Sequence, residues 1–197
     1  MDSNEEFLKS DFEQYHEWMR HYDKSFSSMI NFLYSGYAAV ITASYVIVSK
    51  YPKAYDAKLG ATLLLSFAAL LTPVFIYWLM KKRKYFVDTA RWVNRIRSAF
   101  LKQAPLGIDK PAAKWETPEY PPYFNSTSTQ IIFLYFTAFC GAALNSISAV
   151  SAVITGGFIK SFADVPIWIY LICLFVFSAI YIVWIRCYLM GLEKAHE

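Results

Sequence analysis

Apolar positions along this chain fall into four long runs, about Met29–Ser49, Leu59–Met80, Thr129–Thr155 and Ile167–Leu189. Each run reaches the roughly 20 residues that a helix needs to cross about 30 Å of hydrocarbon. Between and before the runs, apolar residues return only at helical spacing. Leu8, Phe12, Tyr15, Met19, Tyr22 and Phe26 follow one another at intervals of 4, 3, 4, 3 and 4. That heptad seam favours packing against another helix. Tyr85, Thr89, Trp92, Ile96 and Ala99 repeat the same rhythm on a basic segment, so the acidic and basic seams can pack on each other, within or between subunits. The pattern predicts an all-α polytopic membrane protein with four transmembrane helices and helical extensions outside the membrane.

The boundaries follow from breakers and caps. Ser3 and Glu6 have capping-box spacing, which predicts a helix start there. Residues 1–28 read as an amphipathic helix and 29–80 as a first transmembrane hairpin turning near Pro52. Pro73 lies inside the second span, where it removes one backbone hydrogen bond and sets either a fixed kink or a hinge. No breaker separates that span from Lys81–Gln103, so one long helix is expected to leave the membrane. Residues 104–128 hold Pro105, Pro111, Pro118, Pro121 and Pro122. They predict extended chain that returns to the membrane, either free or laid against protein through Trp115, Tyr120, Tyr123 and Phe124. The second hairpin covers 129–189 and a short tail 190–197. Its first span is rich in Gly, Ala and Ser, which lets helix backbones approach closely. Its second is bulky, with Trp168, Phe175, Phe177, Tyr181 and Trp184, and reads as lipid-facing over much of its surface.

Composition agrees: 56% of the 197 residues are hydrophobic, only 17% are charged, and the mean hydropathy is +0.30. A soluble domain carries about a quarter of its residues as charges. Lys and Arg are distributed asymmetrically. Fifteen lie in the N-terminal tail, the central segment and the C-terminal end, and four lie in the two opposite loops. The positive-inside rule therefore predicts both termini and the central segment in the cytoplasm. The first 25 residues are acidic and amphipathic, without the layout of a cleaved signal, so the first span is expected to serve as an uncleaved anchor. Cys140, Cys173 and Cys187 all sit within spans, and no disulfide framework is implied. The basic face Lys81, Lys82, Arg83, Lys84, Arg91, Arg95 and Arg97 suits the anionic lipid of an inner leaflet or a protein partner; nucleic acid is the less fitting reading.

Candidate reaction chemistry is sparse. His16, His21 and His196 are the histidines, all in the tails. Glu13 and His16 share a helix face, but bundle metal sites need such pairs from two helices with further carboxylates. No phosphate loop, nucleophile elbow or zinc motif is present, and no cofactor is implied. The middle thirds of the spans hold no Asp, Glu or Lys, which argues against ion-coupled transport. What they do hold is small and uncharged. Asn31, Ser35, Ala38, Thr42, Tyr45 and Ser49 form one stripe, and Gly141, Asn145, Ser148 and Ala152 another. Either could line a water-filled pore shared by several subunits, or pack inside a four-helix bundle.

The segment Tyr85–Leu101, with Arg91, Asn94, Arg95, Ile96 and Arg97, follows a two-span hairpin preceded by an amphipathic helix. Over about Asp11–Gln103 this arrangement resembles the SLATT-type effectors of bacterial conflict systems. It also resembles the small multi-span ancillary membrane proteins found beside CRISPR and other antiphage systems. The resemblance implies a bacterial inner-membrane pore former or permeabilising effector, triggered by a cytoplasmic partner. The second hairpin departs from that class, and no nucleotide-sensor domain is recognisable. The expectation is a non-enzymatic homo-oligomer whose seam is Leu8, Phe12, Tyr15, Met19, Tyr22, Tyr85, Trp92 and Ile96. The alternatives are a membrane adaptor for a soluble cytoplasmic protein and, third, a small-solute transporter.

Overall fold

A computed structural model describes residues 3–101, 119–157 and 165–195 of the chain. Among them are four α-helices: α1 (Ser3–Lys50), α2 (Tyr55–Leu101), α3 (Thr129–Thr155) and α4 (Ile167–Lys194). All four are long and apolar enough to cross a membrane. The expected stretch of proline-rich chain before Glu119, with Trp115 in it, lies outside the described residues, as do the side chains of Ser3 and Leu8.

The N-terminal amphipathic segment and the first apolar run form one helix. α1 is unbroken over 48 residues, about 72 Å at ~1.5 Å per residue. No Gly or Pro stands between Tyr22 and Ile30 to end it. α2 is likewise one helix of 47 residues that continues through Pro73. The turn between α1 and α2 is only Tyr51–Ala54, closed by Ala54 N–H on the Tyr51 carbonyl at 3.1 Å. So short a turn makes the two helices antiparallel neighbours along their whole length.

The helices pack in chain order, α1 on α2, α2 on α3 and α3 on α4. The start of α1, the end of α2, the start of α3 and the end of α4 share one end of the bundle, here the basic end. The other is the turn end. α3 is central: Ile131, Leu134, Ala138, Ala142 and Leu144 are buried. α4 is peripheral and buries only Tyr181, Ile185 and Leu189, one residue per turn. Its remaining surface exposes Trp168, Leu171, Phe175, Val176, Ile180 and Val183. As expected for the bulky span, this is a surface suited to acyl chains.

Small and hydroxylated residues set the α2–α3 contact. Thr62 Oγ1 meets Ser151 Oγ and Thr155 Oγ1, each at 2.9 Å, and Ser66 Oγ meets Ser148 Oγ at 2.8 Å. At mid-span the helices touch most closely. A Cβ on Gly141 would overlap the Thr72 methyl. Thr72 is fully buried, next to Pro73, and its hydroxyl reaches Tyr37 of α1 at 2.7 Å and the Ala68 carbonyl at 3.2 Å. Asn145 donates to the Gly141 carbonyl at 2.9 Å and to Tyr181 of α4 at 2.8 Å. At the level of Pro73 a polar contact joins α1 to α2 and another joins α3 to α4, with the Thr72 methyl against Gly141 between them.

Gly141→Ala tests this contact against a competing gain. Alanine raises helix propensity by about 1 kcal/mol, whereas overpacking a fitted contact costs about 1–3 kcal/mol. Thermal unfolding in detergent should show net destabilisation for Gly141→Ala. Partial recovery is expected in the double variant Gly141→Ala/Thr72→Ser, which removes the methyl and keeps the hydroxyl. A Gly141→Ala protein as stable as wild type would mean the helices are not this close.

Candidate functional site: a carbonyl clamp at the basic end

Residues 119–128 enter α3 as non-helical chain containing Pro121 and Pro122. Proline contributes no N–H, yet every carbonyl on such a segment still needs a donor when it is covered. α2 supplies those donors from one side. Asn94 Nδ2 donates to the Tyr120 carbonyl at 2.7 Å, and Arg91 Nε to Pro121 at 3.1 Å. Arg83 donates through Nη2 to Pro122 at 3.0 Å and through Nε to Tyr123 at 3.3 Å. Four consecutive carbonyls are thus held by three side chains spread over three turns of α2.

The clamp extends to the other helices. Arg83 Nη1 donates to Gln130 Oε1 on α3 at 3.1 Å, and Gln130 Nε2 donates to Asp23 on α1 at 2.9 Å. Arg91 Nη2 pairs with Glu193 Oε1 on α4 at 2.5 Å, and its guanidinium lies 4.4 Å from the centre of the Tyr123 ring. The Tyr123 N–H donates to the second Glu193 oxygen at 2.8 Å, and the Tyr123 hydroxyl donates to Asp88. Asp88 also pairs with Lys84 at 2.7 Å.

Arg83 is only 2% exposed. Burial lowers its pKa to about 10, partly countered by Tyr120 and Glu193, so it is still cationic at neutral pH. Burial and the Asp88 carboxylate raise the Tyr123 phenol above its ordinary range and keep it a donor. Beside Arg83 lies a polar cavity of about 460 Å³ lined by Asp23, Tyr120, Asn125, Thr127, Ser128 and Gln130, among others.

This divides the basic face. Arg83 and Arg91 turn inward as hydrogen-bond donors and do not face lipid. The reason is the fork of guanidinium N–H groups, which can serve several carbonyls at once. Lys81, Lys82 and Lys84 are half-buried, Arg95 is exposed and Arg97 half-buried. Lys82 lies over Tyr22 at 5.9 Å and Arg97 over Phe12 at 5.4 Å.

The two heptad seams meet each other within the chain. Tyr22 stacks on Tyr85 with ring centres 5.7 Å apart, Tyr15 meets Trp92 at 5.9 Å, and Ile96 is buried. The expected oligomerisation seam is therefore occupied in cis, because the short α1–α2 turn makes α2 the nearest partner. α1 and α2 run together about 30 Å past Met80, and as far as Asn94 residues 120–123 and the end of α4 pack on them. His16 packs edge-on against Phe12 at 5.3 Å. Among the described residues no group of three or more His, Cys, Asp or Glu is gathered for a metal.

The two polar stripes are placed differently. Gly141 and Ser148 are buried against α2 and Asn145 is bonded to α4, whereas Ala152 is exposed. Asn31, Ser35, Thr42 and Ser49 are all exposed on α1, together with Ala38 and Tyr45. Sequence reasoning missed Asn94, Gln130, Asp23 and Glu193. The available signal was the Pro121–Pro122 pair, whose carbonyls need donors that an adjacent basic helix carries. Comparison with protein-family models, curated proteins and solved structures finds no match.

Replacing Arg83 by Lys retains the charge, but its donors all sit on one nitrogen and cannot span acceptors met here by Nε, Nη1 and Nη2. Arg83→Lys and Arg83→Met should each cost about 2–4 kcal/mol, since two or three buried acceptors lose a partner. Protease cleavage within residues 119–128 should accelerate in both. Arg95→Met, at an exposed position, should change neither. Wild-type stability of Arg83→Lys would show that the clamp needs only a positive charge.

Proposed function

We propose that this chain is a non-enzymatic, multi-pass membrane protein that assembles with further copies of itself into a pore or permeabilising assembly. The observation that carries the reading is the exposed stripe Asn31, Ser35, Thr42 and Ser49 on α1. Polar side chains at hydrocarbon depth are costly against lipid and are commonly found where helices meet or water is lined. The comparable residues of α3 have partners inside the chain, so α1 is the helix left to face a shared axis. An uncharged polar lining conducts with little selectivity.

The Lys and Arg asymmetry orients the basic end towards the cytoplasm. In this reading the clamp sits at the inner surface, where Lys81 and Lys82, one and two residues past Met80, meet anionic lipid. Control comes through the paired extensions of α1 and α2, from a cytoplasmic protein. The likeness of the first hairpin to SLATT-type effectors supports a bacterial inner-membrane location and a role in antiphage defence.

A second reading has its own support. The paired extensions present Glu13, Glu17 and Arg20 on one helix and Arg95 on the other, all exposed. A soluble partner docking on that surface would make the protein a membrane adaptor, with the bundle as its anchor. In that case Glu13→Lys/Glu17→Lys would abolish recruitment and leave membrane insertion intact.

Release of an entrapped dye from vesicles decides between them. The purified wild-type protein should release dye, and Asn31→Leu/Thr42→Leu should reduce release several-fold with unchanged thermal unfolding. Asn145→Leu should instead lower the unfolding midpoint, because it breaks the bonds to Tyr181 and Gly141. Vesicles that stay tight with wild-type protein at all densities would overturn the pore reading.

A further inference from the structure

α1 and α3 meet at Tyr34 and Thr137, whose hydroxyls lie 3.2 Å apart. Towards the turn end they part, and a groove of about 270 Å³ fills the gap over α2. Its walls are Ile41, Tyr45 and Val48 of α1, Ala61 and Leu65 of α2, and Ile147 of α3, and they are almost wholly apolar. Two serines break the pattern: Ser151 of α3 is already bonded to Thr62 at 2.9 Å, and Ser44 of α1 is not bonded. Ser44 lines the groove, is only 5% exposed, and its Oγ has no hydrogen-bond partner. Serine in a helix ordinarily turns its hydroxyl onto the carbonyl four residues back. Here that bond is absent, so an oxygen able to donate is left in apolar surroundings, where an unmade hydrogen bond is unfavourable.

A charge nearby points to a particular occupant. Lys58 precedes Ala61 by three positions and Leu65 by seven, which puts it on the groove face of α2, whereas Lys50 ends α1 on another face with its Nζ over the Tyr51 ring at 5.7 Å. Both lie at the turn end, at the level where the apolar runs of α1 and α2 stop. Ser44 is six residues, about 9 Å along the helix, short of the level of Lys50. A glycerophospholipid carries an apolar chain, an ester carbonyl at its head and a phosphate just beyond, in the same order. We propose that the groove is a binding site for one glycerophospholipid. One acyl chain lies along Ile41, Leu65 and Ile147, an ester carbonyl accepts from Ser44 Oγ, and the phosphate faces Lys58. This rests on the spans crossing a bilayer and not on assembly through α1.

The test uses the full chain in phosphatidylglycerol/phosphatidylethanolamine vesicles containing a trace of phosphatidylglycerol with a diazirine in its acyl chain. After irradiation, adducts are mapped by mass spectrometry. Labelling at Ile41, Leu65 and Ile147 should exceed that at Phe175 and Ile180, which face outward on α4, several-fold. Ile147→Trp, which fills the groove, should abolish the excess. Ser44→Ala and Lys58→Gln should each reduce it several-fold with unchanged thermal unfolding, and Lys50→Gln should not. A diazirine fatty acid, lacking the phosphate, should label the groove more weakly. Equal labelling of groove and α4, or a fatty acid that labels the groove as strongly, would overturn the proposal. Should Ile147→Trp fail to fold, Ser44→Ala and the wild-type map still decide it.

Discussion

A covered run of backbone carbonyls needs donors, and at the basic end α2 supplies them. The carbonyls of Tyr120, Pro121, Pro122 and Tyr123 lie in chain that can form neither helix nor sheet hydrogen bonds with its own N–H groups. Two arginines and an asparagine on successive turns of α2 accept the task. The direction in which the chain enters α3 is then set by α2, and with it the register of the second hairpin on the first. Gly141 can meet Thr72 because Gln130, one residue into α3, is already fixed by Arg83. Glu193 closes the arrangement from α4 through Arg91 and the Tyr123 N–H.

The same rule sorts the polar residues of the spans. Thr62, Ser66 and Thr72 on α2 find hydroxyl partners on α3 and α1, and Asn145 finds Tyr181. Each such contact is worth about 1 kcal/mol or less in a membrane, so the close fit allowed by Gly141 and the serines matters as much as the bonds. α1 buries Phe26, Ile30, Leu33 and Tyr37 against α2 and leaves its polar stripe outside. A stripe of polar residues left exposed on α1, while Thr62, Ser66, Thr72 and Asn145 bond to neighbouring helices, is a face suited to another helix.

Much of the architecture was legible before any coordinates. Four runs of spanning length mark four helices, because only a helix satisfies its backbone within a single segment in hydrocarbon. The absence of a breaker after Met80 marks α2 as continuous. The seams of both extensions were visible at Tyr15, Tyr22, Tyr85 and Trp92. That an acidic and a basic seam suit one another is legible too; that they meet within one chain and not between subunits depends on the length of the α1–α2 turn, which periodicity does not carry. The inward turn of Arg83 was hidden for a related reason. In sequence it is one of four consecutive cations, and only the arrival of Pro122 and Tyr123 from 40 residues away separates it from Lys81, Lys82 and Lys84. The two polar stripes read alike as sequence, and their difference follows from α3 lying between α2 and α4 while α1 has one neighbour along most of its length.

The account stands most directly on the outer face of α1 meeting another copy of the chain. Single cysteines placed at Asn31, Ser35, Ala38 and Thr42 would be compared with cysteines at Ile172, Val176 and Ile180 of α4, with the three native cysteines replaced, in vesicles under mild oxidation. Disulfide-linked dimers confined to the α1 positions, with the periodicity of one helix face, are the predicted result. Cross-linking through α4 instead, or none above the level of random collision at either face, would contradict it.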